Sequence, residues 1–208
     1  MNENDTVIYL VDDDQSVLEA LGSLVRSIGL KVACFSSAYE FFDAVSTRAR
    51  GCLILDVRMP EMSGLDVQKK LSELGDELPI IFISGHGDIP MAVKAIKAGA
   101  VDFLTKPFRE EELLSAIRTA LQIDIEASEN LNEIEDIKTH YATLSFREKQ
   151  VLPFILKGLL NKQTAVELGI SEATVKVHRH NLMKKMSVNT LPDLVRITQR
   201  LDLPSHKI

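Results

Sequence analysis

The sequence has no tryptophan, only two cysteines, and no apolar run near the roughly 18 residues that a membrane-spanning helix needs. Cys34 and Cys52 lie in or beside apolar, strand-like runs, where a small buried side chain is more common than a disulfide. Residues Met1–Asp5 lack the basic and apolar regions of a signal peptide. These absences argue against a secreted disulfide scaffold and against a membrane protein or membrane partner. We therefore expect a protein of the reducing cytoplasm.

Basic residues are scarce in the first two thirds of the chain. Residues 1–139 contain 13 Lys and Arg against 25 Asp and Glu, a net charge of −12, whereas residues 140–208 contain 11 against 5, a net charge of +6. An acidic part joined to a basic part indicates two separate tasks, and a basic surface suits a polyanionic partner. A charge surplus alone is more often just a solvated surface, so sequence motifs are needed to show whether the basic part binds a polyanion.

Short apolar runs alternate with amphipathic stretches over the first 120 residues. The runs predict five strands, near Thr6–Val11, Lys31–Phe35, Cys52–Asp56, Pro79–Ser84 and Val101–Thr105. Short apolar strands separated by helices indicate a parallel sheet that is covered on both faces. The predicted fold is therefore an α/β flavodoxin-like domain with strand order 2-1-3-4-5 and a site at the switch point of the sheet.

Glycine and proline are absent from Arg109 to Leu144, and apolar residues keep an approximately helical period there. We predict a long, partly exposed helix, either continuous or broken once near Ser128, that serves as a spacer or as a dimer seam. The alternative is a last domain helix followed by an unstructured acidic linker. The predicted boundaries are an α/β domain, 1–121, a helical linker, 122–142, and an all-α domain, 143–208.

Four helices are predicted in the C-terminal part. Ser145 and Glu148 have the spacing of a capping box. The tight turn Leu168–Ser171 joins the second helix to a third, predicted at Glu172–Met186, which is the helix-turn-helix pattern. Val175, Leu182 and Met186 form the inward stripe of the third helix and leave a basic outer surface that would suit the major groove. The alternative is a solvated basic helix that packs on protein.

Acidic and polar residues follow the predicted strands at their carboxyl ends. Asp12–Asp14 follow the first strand, Asp56 ends the third, Ser84 ends the fourth, and Lys106–Pro107 follow the fifth. These ends meet in one crevice of a parallel sheet, where like charges raise each other's pKa values. A hard cation such as Mg²⁺ relieves that conflict, and Lys106 is left to balance an incoming anion. The pattern predicts phosphate chemistry on an aspartate, with Asp56 as the nucleophile; acidic residues that merely decorate loop ends are the alternative.

Two sets of motifs resemble known families. The first set resembles the receiver domain of two-component response regulators and consists of Val11–Asp14, Leu55–Gly64, Ser84–Gly87 and Lys106–Phe108. The second is similar to the NarL/FixJ (LuxR-type) DNA-binding domain and consists of Leu144–Glu148, Asn161–Ala165 and Thr174–His178. The stretch Gly85–Val93 resembles the FixJ-like branch in particular.

The resemblance to receiver domains implies a role for each residue of the crevice. Asp56 would accept a phosphoryl group from a sensor histidine kinase in a reaction that needs Mg²⁺ or Mn²⁺. The metal would be held by Asp13, Asp56 and the backbone carbonyl of Arg58, with Asp12 acting through water. Ser84 and Lys106 would bind the phosphoryl group, and no organic cofactor is expected.

The resemblance also implies a switch. Phe103 would turn inward together with Ser84 after phosphorylation, and the Lys106–Pro107 bond would be cis. The added charge would reshape the helix from about Ile89 to Ala98 and promote a homodimer through that helix and the fifth strand. Apolar residues Ile89, Pro90, Met91 and Val93 would fit such a face, although an apolar stripe is more often plain core.

For the basic domain the resemblance implies double-stranded promoter DNA as the ligand. Lys176, Val177 and His180 would reach base edges. Phosphate contacts, which position but do not specify, would come from Arg179, Asn181, Lys184, Lys185 and Lys162. On the last helix, Arg196, Ile197 and Arg200 would form a second dimer contact and imply palindromic half-sites. RNA polymerase is a further expected partner.

Two other functions compete with a phosphorylation-switched transcription regulator. A phosphatase working through an aspartyl-phosphate commonly has a second aspartate two residues after the nucleophile, but position 58 is arginine. We therefore expect slow self-dephosphorylation of Asp56 and no enzymatic action on an external substrate. A module whose helical domain binds protein is the other alternative. Relatives regulate nitrogen fixation or the breakdown of aromatic compounds, and the sequence leaves both open.

Overall fold

The computed structural model describes residues 6–45, 49–85 and 89–201. The chain divides into two compact units, residues 1–128 and 129–208. Within the described ranges, no helix combines the length and the apolar character needed to cross a bilayer. The predicted domain boundaries at 121 and 142 remain predictions. Of the motifs quoted above, His86–Gly87 lies outside the described residues.

The first unit contains a five-stranded parallel sheet with the order β2-β1-β3-β4-β5, as predicted. Each strand begins within one residue of its predicted start. The strands are β1 (Val7–Val11), β2 (Lys31–Phe35), β3 (Gly51–Asp56), β4 (Ile80–Ser84) and β5 (Asp102–Thr105). The helices between and after them are α1 (Gln15–Ser27), α2 (Ala38–Ala44), α3 (Gly64–Glu73), α4 (Ile89–Lys97) and α5 (Glu110–Ala142).

The central strands β3 and β4 are buried over their whole length. Side chains alternate between the two faces of a strand, so Ile54 joins the core under α1 and α5 while Leu53 and Leu55 join the core under α2 and α3. Each fully buried aliphatic side chain of this size contributes about 1.5–3 kcal/mol through removal from water. The two cores fix the carboxyl ends of the strands, where the polar site lies.

Helix α5 is continuous from Glu110 to Ala142, as the predicted long helix requires. It has no break near Ser128, and the alternative of an unstructured linker is wrong. A side chain from the residue before β3 contacts the helix at this serine. The Arg50 guanidinium donates from Nη1 to Ser128 Oγ at 2.5 Å and from Nε to Asp124 Oδ2 at 2.9 Å. A serine hydroxyl can interrupt a helix by bonding to its backbone, but here the hydroxyl is bound by a side chain from outside the helix.

The second unit is helical, as predicted. Its helices are α6 (Phe146–Leu156), α7 (Asn161–Leu168), α8 (Glu172–Lys185) and α9 (Leu191–Gln199). Ser145 and Glu148 form the predicted capping box, and Gly169 ends α7 in the left-handed region with φ 64°. The predicted inward stripe of Val175, Leu182 and Met186 is buried, and Met186 is the C-cap residue that directly follows α8.

Candidate phosphoacceptor site and nucleic-acid interface

Three of the predicted crevice residues meet at the carboxyl end of the sheet. Asp12 follows β1, Asp56 ends β3 and Lys106 follows β5. The Lys106 ammonium donates to Asp12 Oδ2 at 2.7 Å and to Asp56 Oδ1 at 3.0 Å. Asp12 is 2% exposed and Asp56 is 6% exposed, so this ion pair network is largely shielded from water.

The crevice carries more negative charge than Lys106 can balance. Burial raises the pKa of Asp56, the charge of Asp12 adds to this, and hydrogen bonds from Lys106 and from the Arg58 amide at 2.6 Å oppose it. Burial works against the charge of Lys106 as well, but its hydrogen bonds to Asp12 and Asp56 outweigh burial and raise the Lys106 pKa. Burial is the main cause of the shift of Asp56, whereas the two carboxylates are the cause of the shift of Lys106. Two carboxylates against one ammonium leave a site that favours an added cation.

The donor set fits a magnesium ion that keeps part of its water shell. Among the described residues, no three His, Cys, Asp or Glu side chains form a metal cluster by themselves. Asp12 and Asp56 already lie together on Lys106, Asp13 is exposed beside them, and the Arg58 backbone follows Asp56. Mg²⁺ in proteins commonly takes only one or two carboxylates and completes its octahedron with water or phosphate oxygens, which these residues can supply.

Asp14 has a role that the sequence analysis missed. Its side chain caps α1, because Oδ1 accepts from the Ser16 amide at 2.9 Å and from the Ser16 hydroxyl at 2.6 Å. These hydrogen bonds lower the pKa of Asp14. The Asp14 amide in turn donates to Asp12 Oδ1 at 2.9 Å and orients that carboxylate. The N-cap preference for aspartate directly before a helix was the signal that could have revealed the cap.

The residues implied in the switch lie on β4 and β5. Ser84 is buried at the end of β4, and its carbonyl accepts from the Lys106 amide at 2.7 Å. Phe103 on β5 is half-buried, with its ring centroid 6.2 Å from that of Phe82. The Lys106–Pro107 bond is cis, as the resemblance implied.

Gly64, the first residue of α3, is a second feature that sequence reasoning missed. A Cβ at this position would lie 2.4 Å from the backbone carbonyl oxygen of Asp56, well inside any allowed contact. The absence of a side chain lets α3 begin directly against the end of β3. The Gly64 amide donates to the Val57 carbonyl at 3.0 Å and fixes this approach. Gly64 therefore shapes the backbone that carries Asp56.

The predicted DNA-contacting residues are distributed over the outer surface of α8 and the start of α7. Lys176, Val177, His180, Lys184 and Lys162 are exposed, whereas Arg179, Asn181 and Lys185 are half-buried. A groove runs along α8 and the turn after it, lined by Lys176, Arg179, His180, Met183, Lys184 and Asn189 among others. Basic side chains along the second helix of a helix-turn-helix suit insertion into a DNA groove.

Lys185 also has a partner inside the protein. Its ammonium donates to Glu148 Oε2 at 2.8 Å and to the Thr143 carbonyl at 3.2 Å. Burial alone would raise the pKa of Glu148, but the hydrogen bonds from Lys185 and Ser145 outweigh it and lower that pKa. Lys185 thus joins α8 to the capping box of α6, a pairing that local sequence patterns do not reveal.

Comparison with known proteins matches each of the two units to a family. Residues 8–118 match the family described as "Response regulator receiver domain", and residues 142–198 match "Bacterial regulatory proteins, luxR family". The chain belongs to the response regulators. A receiver domain implies a kinase partner, receiver domains generally use Mg²⁺ for phosphorylation, and the LuxR-type domain implies DNA binding.

Relatives of this response regulator share nearly its whole length. It is 70% identical to "Response regulator protein TmoT" of Ectopseudomonas mendocina over 97% of this chain and 91% of that protein. It is 43% identical to "Transcriptional regulatory protein FixJ" of Azorhizobium caulinodans, covering 91% of this chain and 90% of that one. Among solved structures, response regulator StyR matches with a TM-score of 0.84 and 46% identity, over 94% of this chain and 99% of StyR.

Proposed function

We propose that a sensor histidine kinase phosphorylates Asp56 and that the phosphorylated regulator dimerises and binds promoter DNA to activate transcription. The observation that supports this most directly is the pairing of one ammonium with two buried carboxylates at the end of the sheet. This arrangement holds the nucleophilic carboxylate of Asp56 beside the Lys106 ammonium, which can form a new ion pair with an oxygen of the incoming phosphoryl group. Catalysis of phosphoryl transfer consists mainly of this positioning and charge stabilisation.

In the proposed transfer, an Asp56 carboxylate oxygen forms a bond to phosphorus while the bond from phosphorus to the kinase histidine nitrogen breaks. Lys106 moves from Asp56 Oδ1 to a phosphoryl oxygen, and the Ser84 hydroxyl donates to another. Asp13, Asp56 and the Arg58 carbonyl would hold the metal, with Asp12 acting through water. Mg²⁺ or Mn²⁺, when bound there, would neutralise the charge gathered on the carboxylates and the phosphoryl group.

Phosphorylation adds about 1.5–2 negative charges and three strong acceptors to the crevice, which is the signal that we propose Ser84 and Phe103 transmit to α4. The surface of α4 supports a role in dimerisation. Ile89 is 77% exposed, Val93 46% and Ile96 45%, and their spacing puts them in one stripe along the helix. Exposed apolar stripes of this kind are typical of interaction surfaces.

At the promoter, we propose that α8 lies in the major groove with Lys176, Val177 and His180 at base edges. Phosphate contacts come from the residues at the margins of that helix and from Lys162 on α7. Arg196 and Ile197 on α9, with Arg200 directly after it, form the contact between two DNA-binding domains, so the operator consists of palindromic half-sites. The bound dimer recruits RNA polymerase.

Phosphate uptake is tested by incubating the full chain with a small-molecule phosphodonor and Mg²⁺ and locating the adduct by mass spectrometry. We expect one phosphoryl group on Asp56, none on Asp56→Asn, and strongly reduced uptake by Lys106→Met. Labelling of Asp56→Asn to the parent level would contradict the assignment.

DNA binding is tested on a promoter library with and without the phosphodonor. Lys176→Ala should weaken binding and relax specificity, whereas Lys184→Ala should weaken it about equally on all sequences and reduce its salt dependence. Equal losses of specificity in both variants would contradict the division into base and phosphate contacts.

We propose no enzymatic activity on external substrates. Arg58 stands where a general acid would be required, so water attacks the aspartyl-phosphate slowly and without assistance from that position. The expected result is slow loss of label from Asp56 and no hydrolysis of added phosphomonoesters above the rate of Asp56→Asn. Turnover of such a substrate by the parent alone would favour the phosphatase alternative.

A further inference from the structure

The middle of α5 cannot stabilise itself by internal ion pairs. Between Arg118 and Lys138 there are six carboxylates and no basic residue, so like charges face one another at helical spacing. Ser128, Asn130 and Asn132 fall in the same stretch and are poor helix formers, because their side chains compete for backbone hydrogen bonds. Local sequence therefore favours an interrupted helix here, although the helix is intact.

The missing cations come from elsewhere in the chain. Arg50 reaches α5 from the residue before β3, and its guanidinium binds Asp124 through Nε at 3.1 and 2.9 Å and Ser128 through Nη1 at 2.5 Å. Asp124 and Ser128 are four residues apart, so one guanidinium spans a full turn of the helix. In the second unit, Arg200 pairs with Glu133 and approaches Asn130 Oδ1 at 3.4 Å.

The Arg50 contact is more than a surface ion pair. The Asp124 side chain is 8% exposed and that of Arg50 is 33% exposed, so water competes little for the carboxylate. Arg50 is itself anchored to the sheet, because its carbonyl accepts from the Val7 amide at 3.0 Å. A charge-assisted, two-point contact from a fixed backbone is well suited to hold a weak helical turn.

We propose that Arg50 is a latch that keeps α5 continuous through Ser128, and that releasing it from Asp124 and Ser128 lets the helix break between residues 122 and 134. In this proposal the continuity of the helix at Ser128 is set by a side chain of the receiver domain and is not intrinsic to the helix. The latch does not depend on the proposed phosphorylation of Asp56.

The test is native-state amide hydrogen exchange on the full chain, followed by mass spectrometry, for the parent and Arg50→Met. We expect exchange in residues 124–132 to accelerate about tenfold in the variant, which corresponds to loss of a charge-assisted hydrogen bond. Arg50→Lys should accelerate it nearly as much, because an ammonium cannot serve Asp124 and Ser128 in the same geometry. Amides of β3 and β4 report whether the sheet is intact.

Arg109→Met is the matched control, because it removes an arginine that pairs with Glu112 at the exposed start of the same helix. This variant should leave the amide exchange rates of residues 124–132 unchanged. Glu129→Ala in the Arg50→Met background should restore part of the protection, since it removes like-charge repulsion and improves helix propensity. If the amides of residues 124–132 are protected in Arg50→Met as well as in the parent while the sheet is intact, the proposal is overturned. Unfolding of the sheet in both Arg50 variants also overturns it, because Arg50 would then contribute to the stability of the whole domain.

Discussion

Replacing Lys185 with methionine should destabilise the DNA-binding unit, because it removes the cation that serves a buried carboxylate. The Glu148 side chain is 4% exposed and accepts from Lys185 at 2.8 Å and from the Ser145 amide at 2.7 Å. Methionine keeps the length and apolar stem of lysine, so the change isolates the ammonium. Glu148 would retain only its capping-box partners.

The size of the effect follows from the exposure of the two partners. Removing one partner of a fully buried ion pair costs about 3–5 kcal/mol. Water reaches the Lys185 side chain, which is 37% exposed, and can partly replace its ammonium. We therefore expect a loss of about half that amount, about 1.5–2.5 kcal/mol, for Lys185→Met.

The assay is hydrogen exchange of α6 and α8 amides in the full chain. The expected loss corresponds to exchange that is about tenfold to seventyfold faster. Lys184→Met, which removes a neighbouring exposed lysine, is the matched control and should change these rates little. In the background of Glu148→Gln, Lys185→Met should cost much less, because no buried charge is left unpaired.

The pH dependence gives a second readout. The pKa of Glu148 is lowered in the fold, so its ionised form contributes stability above the unfolded pKa, and this is lost as the pH falls through the folded pKa. The difference between parent and Lys185→Met should be largest near neutral pH and shrink below the ordinary value of 4.5. A difference that is absent at neutral pH, or equal at all pH values, would refute the reasoning.

Three further predictions concern the receiver domain. Gly64→Ala should lower the free energy of unfolding by about 1–3 kcal/mol in chemical denaturation, because the new Cβ forces the Asp56 backbone to shift; Ala at the exposed Gly85 is the control. Asp56→Asn should raise the thermal midpoint at neutral pH, since the raised pKa of Asp56 means that the fold disfavours its charge, and the gain should vanish as the pH falls through that pKa. Gln68→Leu should speed exchange in the last turn of α4, because the buried Gln68 amide donates to the Ala95 and Ala98 carbonyls at 3.1 and 3.2 Å.

Each of these has a clear contrary outcome. Parent-like stability of Gly64→Ala would mean that α3 can retreat from Asp56 without strain. A lower midpoint for Asp56→Asn at neutral pH would mean that Lys106 more than compensates the buried charge. Unchanged exchange in Gln68→Leu would mean that water replaces the amide at the end of α4.

The crevice could be predicted from sequence because two regular patterns combine there. Alternating apolar strands and helices specify a parallel sheet, and in such a sheet the residues after each strand must converge. Asp12, Asp56 and Lys106 were therefore expected together before any distance was known, and they are. Capping residues such as Ser145 could also be predicted from the sequence, because their partner lies only three residues away in the chain.

Other features depended on contacts between distant residues. Local sequence left a break near Ser128 open, and the hydrogen bond that Ser128 accepts from Arg50, 78 residues away, could not be read from it. The pairing of Lys185 with Glu148 and the close approach of Gly64 to Asp56 likewise joined elements whose mutual distance no local pattern encodes. Backbone preferences and hydrophobic spacing, which act over a few residues, determined the helices, the strands and their order. Away from the strand ends, packing decided which charged groups met, as for Arg50 with Asp124 and Lys185 with Glu148, because such side chains find their partners only after the elements have docked.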